Sequence, residues 1–291
     1  MEKLTLDIMN VFHFKDKNYP ELLKKISNPP SELYFNGNFD KKEKYPLAVV
    51  GTRKMSDYGR QVTEYFVKVL AQAGVTIISG LALGVDGLAH KTALKAKGRT
   101  IAILGSGLNN IYPTVHKKLA QDIIDSGGAV VTEYEPDINP SKITFPARNR
   151  IISGLSLGVL VIEAPQKSGA LITATQAIKQ GRKVFVIPAR IYDKNSAGSN
   201  NLLKKGAQVV TKPEDILKSL GIKPLFIKNK KISDLSPEQN KLLEFLNKEP
   251  ISIDDLAEKS NLPAHKIVAL PTEMEIKGVV RSLGAGKYVS V

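Results

Sequence analysis

The chain has 291 residues, 42 Lys+Arg against 28 Asp+Glu, a formal net charge of +14 and no cysteine. Without cysteine there are no disulfides, thiolate-held zinc, iron–sulfur clusters or thiol catalysis, and four scattered histidines (His13, His90, His116 and His265) make a resident metal or other cofactor unexpected. A hydrophobic fraction of 42% is enough for packed cores in about two domains.

No run of about 18 apolar residues offers a membrane span, and Met1-Glu2-Lys3-Leu4 is a poor secretion signal, so a cytoplasmic protein without membrane insertion is expected. The basic excess points to a polyanionic partner or, equally, to a solvated lysine-rich surface. It is uneven. Residues 233–291 hold 7 Lys+Arg against 9 Asp+Glu, whereas the first 232 hold 35 against 19.

Residues 1–45 read as a short N-terminal extension. Turn signals stand at Tyr19-Pro20, Asn28-Pro29-Pro30 and Asn36-Gly37, with one helix from about Pro20 to Ile26. From 46 to 221 the chain alternates. Apolar runs at 47–50, 75–78, 100–104, 129–132, 159–162, 184–187 and 208–211 are separated by helical stretches at 59–73, 85–97, 114–126 and 170–180. Runs that are apolar on both faces suit buried parallel strands. Their alternation with helices predicts an α/β, doubly wound, mostly parallel sheet, whose ligands belong at the carboxyl ends of the strands.

The strand ends carry the candidate chemistry. After 47–50 comes Gly51-Thr52-Arg53-Lys54, where small residues admit an anion to backbone N–H groups and Arg53 can fork onto a phosphate. Asp86 and His90 share a helix face as an acid/base pair or as structural groups. Gly105-Ser106-Gly107 can cradle a phosphate, but Asn110 fills the sixth position of the dinucleotide fingerprint, so nicotinamide binding is not expected.

Lys142, Phe145, Arg148, Asn149 and Arg150 lie within ten residues. Cations beside a ring are what single-stranded nucleic acid requires; otherwise Phe145 is core and the arginines are internally paired. Lys167-Ser168-Gly169 opens a helix after the 159–162 strand, an arrangement suited to anions. Glu163 is a catalytic candidate or the partner of a basic neighbour.

Residues 222–232 read as a linker. Beyond it, Ser236 and Pro237 start a helix, 253–258 and 263–277 form two more (the last interrupted at Pro271), and 278–289 form a hairpin. Three short helices and a hairpin make a winged helix over 233–291. Its charge of −2 argues against duplex reading and for a protein contact. Gly284-Ala285-Gly286-Lys287 lacks the remainder of a phosphate-binding P-loop.

These motifs stand together in order: Val50-Gly51-Thr52-Arg53, Ser79-Gly80-Leu81-Ala82, Gly84-Val85-Asp86, Ala89-His90, Leu104-Gly105-Ser106-Gly107, Tyr112-Pro113, Phe145-Pro146, Arg148-Asn149-Arg150 through Ser156, Glu163 through Gly169, and Leu235-Ser236-Pro237-Glu238. The chain resembles the DprA/Smf family over about residues 19–291.

The resemblance implies an extended Rossmann-like domain with a small C-terminal winged-helix domain. It implies a non-enzymatic recombination mediator that binds and protects single-stranded DNA, loads the RecA recombinase in natural transformation, and commonly dimerises. The family's basic pocket falls here on Thr52 and Arg53, Lys142 with Phe145, and Arg148 with Arg150. The chain departs from the family at Gly87, where Thr is frequent, and at Ala147, where a second Arg is common. About four phosphate contacts would give a salt slope near roughly −3. The competing reading is a nucleotide phosphoribohydrolase-like enzyme using Glu163, Asp86 and Arg148, although the Pro-Gly-Gly-Gly-x-Gly-Thr turn of such enzymes is replaced by Pro165-Gln166-Lys167-Ser168-Gly169.

Overall fold

The computed structural model describes residues 10–223, 235–246, 250–260, 262–277, 279–284 and 286–290. It divides into two units, 1–227 and 228–291. In the first, nine strands form one sheet: β1 (Asn10–His13), β2 (Glu32–Gly37), β3 (Leu47–Val50), β4 (Ile77–Ser79), β5 (Thr100–Ile103), β6 (Ala129–Thr132), β7 (Gly158–Val161), β8 (Lys183–Val186) and β9 (Gln208–Val209), in the order β1-β2-β6-β5-β4-β3-β7-β8-β9. From β6 to β9 every pairing is parallel, and β2 joins β6 antiparallel.

Every residue of β3, β5, β6 and β7 is buried. The strand period of two sends Ala48 and Val50 to one face and Leu47 and Val49 to the other. On the first face they meet Ile151 and Ile152 of α5 (Thr144–Gly154) and Ala174 and Ala177 of α6 (Gly169–Lys179). On the second they meet Phe66 and Leu70 of α2 (Asp57–Gln72) and Ala89 of α3 (Val85–Lys95). This is the doubly wound arrangement expected from the alternation.

The segment expected as a preamble is part of the sheet. Leu33 and Phe35 of β2 are core residues, and Gly37 (φ +90°) lets the backbone run so close to β6 that a β-carbon there would stand 2.3 Å from Gly128 O. The Asn36-Gly37 turn signal therefore marks a strand end. The helix expected over 20–26 is the short α1 (Glu21–Lys24). Helix α4 (Lys117–Asp125) follows a 3₁₀ turn, and α7 (Ala197–Lys204) and α8 (Pro213–Ser219) were not anticipated. Of the expected linker, Ile222 packs into the core against Leu217 and the part from 224 lies outside the described residues, as does Met1-Glu2-Lys3-Leu4.

The second unit holds α9 (Pro237–Leu246), β10 (Ile251–Ser252), α10 (Ile253–Ser260), α11 (Ala264–Ile276), β11 (Val280–Gly284) and β12 (Lys287–Ser290), with a sheet ordered β10-β12-β11. It is a winged helix. Pro271 does not interrupt α11: Ile267, Leu270 and Met274 drive the helix into the unit's own core, and that burial offsets the hydrogen bond that proline cannot donate.

Candidate nucleic-acid interface

Strands β3 and β7 are neighbours, but the chain leaves β3 toward β4 and leaves β7 toward β8, on opposite sides. The sheet therefore reverses direction between them, and the loops leaving their carboxyl ends diverge to leave a crevice. A cleft of about 640 Å³ lies there, walled by Gly51, Thr52 and Arg53 after β3 and by Pro165, Lys167 and Ser168 after β7. Helix α5, with Phe145 and Arg148, and the turn before it, with Lys142, close the cleft.

The first wall is set by close backbone packing. Gly84 (φ +78°) precedes α3, and a β-carbon on it would stand 2.3 Å from Thr52 O. Val85 N donates to that same Thr52 O at 3.2 Å. The Thr52 hydroxyl, buried, accepts from Lys54 N at 3.2 Å, which turns the chain and presents Arg53 outward. On the second wall Ser168 caps α6, accepting from Ala170 N at 3.2 Å, so the start of an 11-residue helix faces the cleft beside exposed Lys167.

Phe145 is half-buried. The Arg53 guanidinium lies 5.6 Å from its ring centroid, and the Tyr112 ring stands at 5.7 Å, tilted by 46°. Arg53 and Lys142 are exposed. The cleft thus offers a ring for stacking and three exposed cations, Arg53, Lys142 and Lys167, for phosphates. Tyr112, 46% exposed, was not among the residues singled out as site candidates, although its Tyr-Pro motif was visible.

The floor is a buried polar lattice. Arg148 Nη1 donates to Gly80 O at 2.8 Å and to Ile103 O, and Nε donates to Asn149 Oδ1 at 3.2 Å. Asp86 Oδ2 accepts from Gly80 N at 3.1 Å. A β-carbon on Gly80 would stand 2.7 Å from both Asp86 Oδ2 and Arg148 Nη2, so glycine is what lets the two meet there. Burial pushes the Asp86 carboxyl up, and the Arg148 charge opposes that rise. Burial pushes Arg148 down to about 10, with Asp86 opposing. His90 Nδ1 lies 2.7 Å from Thr100 Oγ1, whose own proton goes to Ile77 O; burial pushes His90 down to about 3. Asp86 and His90 therefore hold α3 to the sheet rather than face each other as an acid/base pair. Asn149 Nδ2 donates to Gly169 O at 3.3 Å and ties α5 to α6.

Other sequence candidates fall away from the wall. Arg150 forms a two-pronged pair with Glu133 at 2.7 and 2.6 Å and donates to Asn28 O at 3.0 Å. It anchors α5 to the N-terminal segment. Lys54 is exposed beyond the Arg53 turn. Gly105, Ser106 and Gly107 form a tight turn: Ser106 Oγ donates to Asn110 O at 2.7 Å, and a β-carbon on Gly107 would stand 2.1 Å from Glu135 O. That turn backs Phe145. Glu163 is fully buried and accepts from Ser56 N at 3.0 Å and from Ser56 Oγ, which joins it to the start of α2. Spacing along the chain does not distinguish an arginine that meets solvent from one that meets a carboxylate.

A doubly wound α/β unit with a cation-lined cleft at its switch point and a separate winged helix is thus the class of protein that fold and site define. Residues 10–221 match the family model for DNA recombination-mediator protein A, and residues 228–286 match that for the DprA winged helix domain. The chain belongs to the DNA recombination-mediator protein A family. Protein Smf of Escherichia coli is 41% identical over 276 residues, covering 92% of this chain and 74% of Smf. DNA processing protein DprA of Bacillus subtilis is 41% identical over 213 residues, covering 73% and 71%. Among solved structures, DprA of Streptococcus pneumoniae superposes with a TM-score of 0.68 at 41% identity, covering 73% of this chain and 75% of that one. A DNA processing protein A from Helicobacter pylori, described for its single-stranded DNA binding mode, gives 0.65 at 35%, covering 73% and 95%.

Proposed function

We propose that this chain binds single-stranded DNA in the β3–β7 cleft, protects it and loads the RecA recombinase onto it during natural transformation. In this reading it acts as a cytoplasmic homodimer and catalyses no reaction itself. The observation that carries the reading is the Arg53 guanidinium 5.6 Å over the Phe145 ring, with Lys142 and Lys167 at the same cleft. A base stacks on Phe145 against Tyr112 while Arg53, Lys142 and Lys167 meet the flanking phosphates. A duplex hides its base faces and cannot use the ring. The single-stranded DNA described for the Helicobacter pylori relative supports the same assignment. The enzymatic reading is weakened at one of its three candidates, because both Glu163 oxygens are engaged by Ser56 at the start of α2.

The test is titration with a fluorescent oligothymidylate and with the matching duplex at two salt concentrations. Tight, salt-sensitive binding that prefers the single strand is expected. Equal binding to both would overturn the stacking assignment. RecA filament assembly on oligothymidylate, with and without the protein, tests the loading step, and sedimentation tests the dimer.

A further inference from the structure

The loop after β8 holds two large apolar side chains in water: Tyr192 is 92% exposed and Ile191 79%. Neither belongs to a core cluster. The loop around them is well tied. Tyr58 Oη donates to Pro188 O at 3.0 Å, Asn200 Nδ2 to Ala189 O at 3.1 Å, and Asn195 Nδ2 to Lys54 O at 3.0 Å. Folding thus fixes the loop's base while leaving its apolar tip in solvent, an arrangement with a hydration cost and no return within the unit.

The tip is flanked by cations. Arg190 and Lys194 are exposed, and Lys54 is the residue to which Asn195 ties the loop. The carboxylate between them, Asp193, is turned to local use: it accepts from Asn195 N at 2.9 Å and caps a 3₁₀ turn. A ring among exposed cations repeats the chemistry at Phe145. The location is continuous with the cleft, since β8 pairs with β7, the loop leaves the same carboxyl edge of the sheet, and Lys54 directly follows Arg53.

We propose that this loop is a second contact for a single strand leaving the cleft: Tyr192 stacks on a base outside it, and Arg190, Lys194 and Lys54 take the adjoining phosphates. The inference rests on the cleft reading above. It assigns a longer track than the cleft supplies, and that length dependence makes it testable.

The experiment is a length series of fluorescent oligothymidylates, from about 4 to about 16 nucleotides, bound to the full chain. Variants are Tyr192→Ala, Tyr192→Phe, the double change Arg190→Ala with Tyr192→Ala, and Arg53→Ala. Affinity of the parent chain should climb with length until the strand reaches the loop. In Tyr192→Ala, short oligomers should bind as before while long ones lose about tenfold, and Tyr192→Phe should keep the parent curve. The double variant should also reduce the long-oligomer salt slope by about 0.7.

Parent-like affinity of the double variant at every length would overturn the proposal. So would a change in oligomeric state with DNA binding intact, which would assign the tip to a protein interface. Arg53→Ala separates the two readings. Loss at all lengths upholds the cleft whatever the loop does, and parent-like binding at all lengths overturns the cleft reading and the track that depends on it.

Discussion

Gly105 leaves the space that the Phe145 ring occupies: a β-carbon on Gly105 would stand 2.8 Å from Phe145 Cδ1. The glycine turn after β5 thus works as the seat of the Phe145 ring. It lets an aromatic side chain rest against the sheet's carboxyl edge with one side in the cleft beside Arg53.

Gly105→Ala should therefore displace the Phe145 ring without removing a charge. Affinity for oligothymidylate should fall by about 1–3 kcal/mol, while the slope of log K against log salt stays that of the parent. Titration at several salt concentrations checks both. A changed slope with unchanged affinity would contradict the seating role.

The exposed cations should act through salt. With three of them at the cleft, the slope should be near roughly −2, and Arg53→Ala, Lys142→Ala or Lys167→Ala should each flatten it by about 0.7. This is shallower than the roughly −3 of four contacts, because Arg148 and Arg150 are held by protein groups.

Arg150→Ala should behave differently. It abandons Glu133 in a pair whose side chains are each only 15% exposed. The expected outcome is a loss of about 3 kcal/mol in folding stability, read by urea unfolding. The salt slope of DNA binding in the folded fraction should not change.

His90 gives the protein a pH dependence of predictable sign. In the unfolded chain a histidine takes up its proton near about pH 6.5, whereas burial holds folded His90 down at about 3. Its contribution is complete above the unfolded value. Below it the unfolded state binds one proton more, so stability falls by up to about 1.4 kcal/mol per pH unit down toward the folded value. Urea unfolding from about pH 7 to about pH 5 should be less steep in His90→Gln by that amount. Parallel curves would mean that His90 is protonated in the folded state.

Ending the chain after Ile227 should leave most oligothymidylate affinity in place. The first unit has its own core on both faces of the sheet, and the cleft residues all belong to it. A loss of more than about tenfold would assign DNA contacts to the winged helix despite its net negative charge.

The sequence alone determined the alternation of strands and helices, the parallel sheet, the winged helix and the family, because each is written in local periodicity or in ordered motifs. It also brought Arg53, Lys142 and Phe145 together as candidates, since a cation and a ring keep their chemistry wherever the chain puts them. Tertiary structure decided which groups are free. Arg148 and Arg150 lie two residues apart on one helix, yet the first is held by the carbonyls of Gly80 and Ile103 and the second by Glu133 and Asn28. It also decided that residues 10–13 and 32–37 join the sheet, because Leu33 and Phe35 become a strand only where β6 offers an unpaired edge. Those four partners of the two arginines lie from 17 to 122 residues away, and the fold alone brings them within reach.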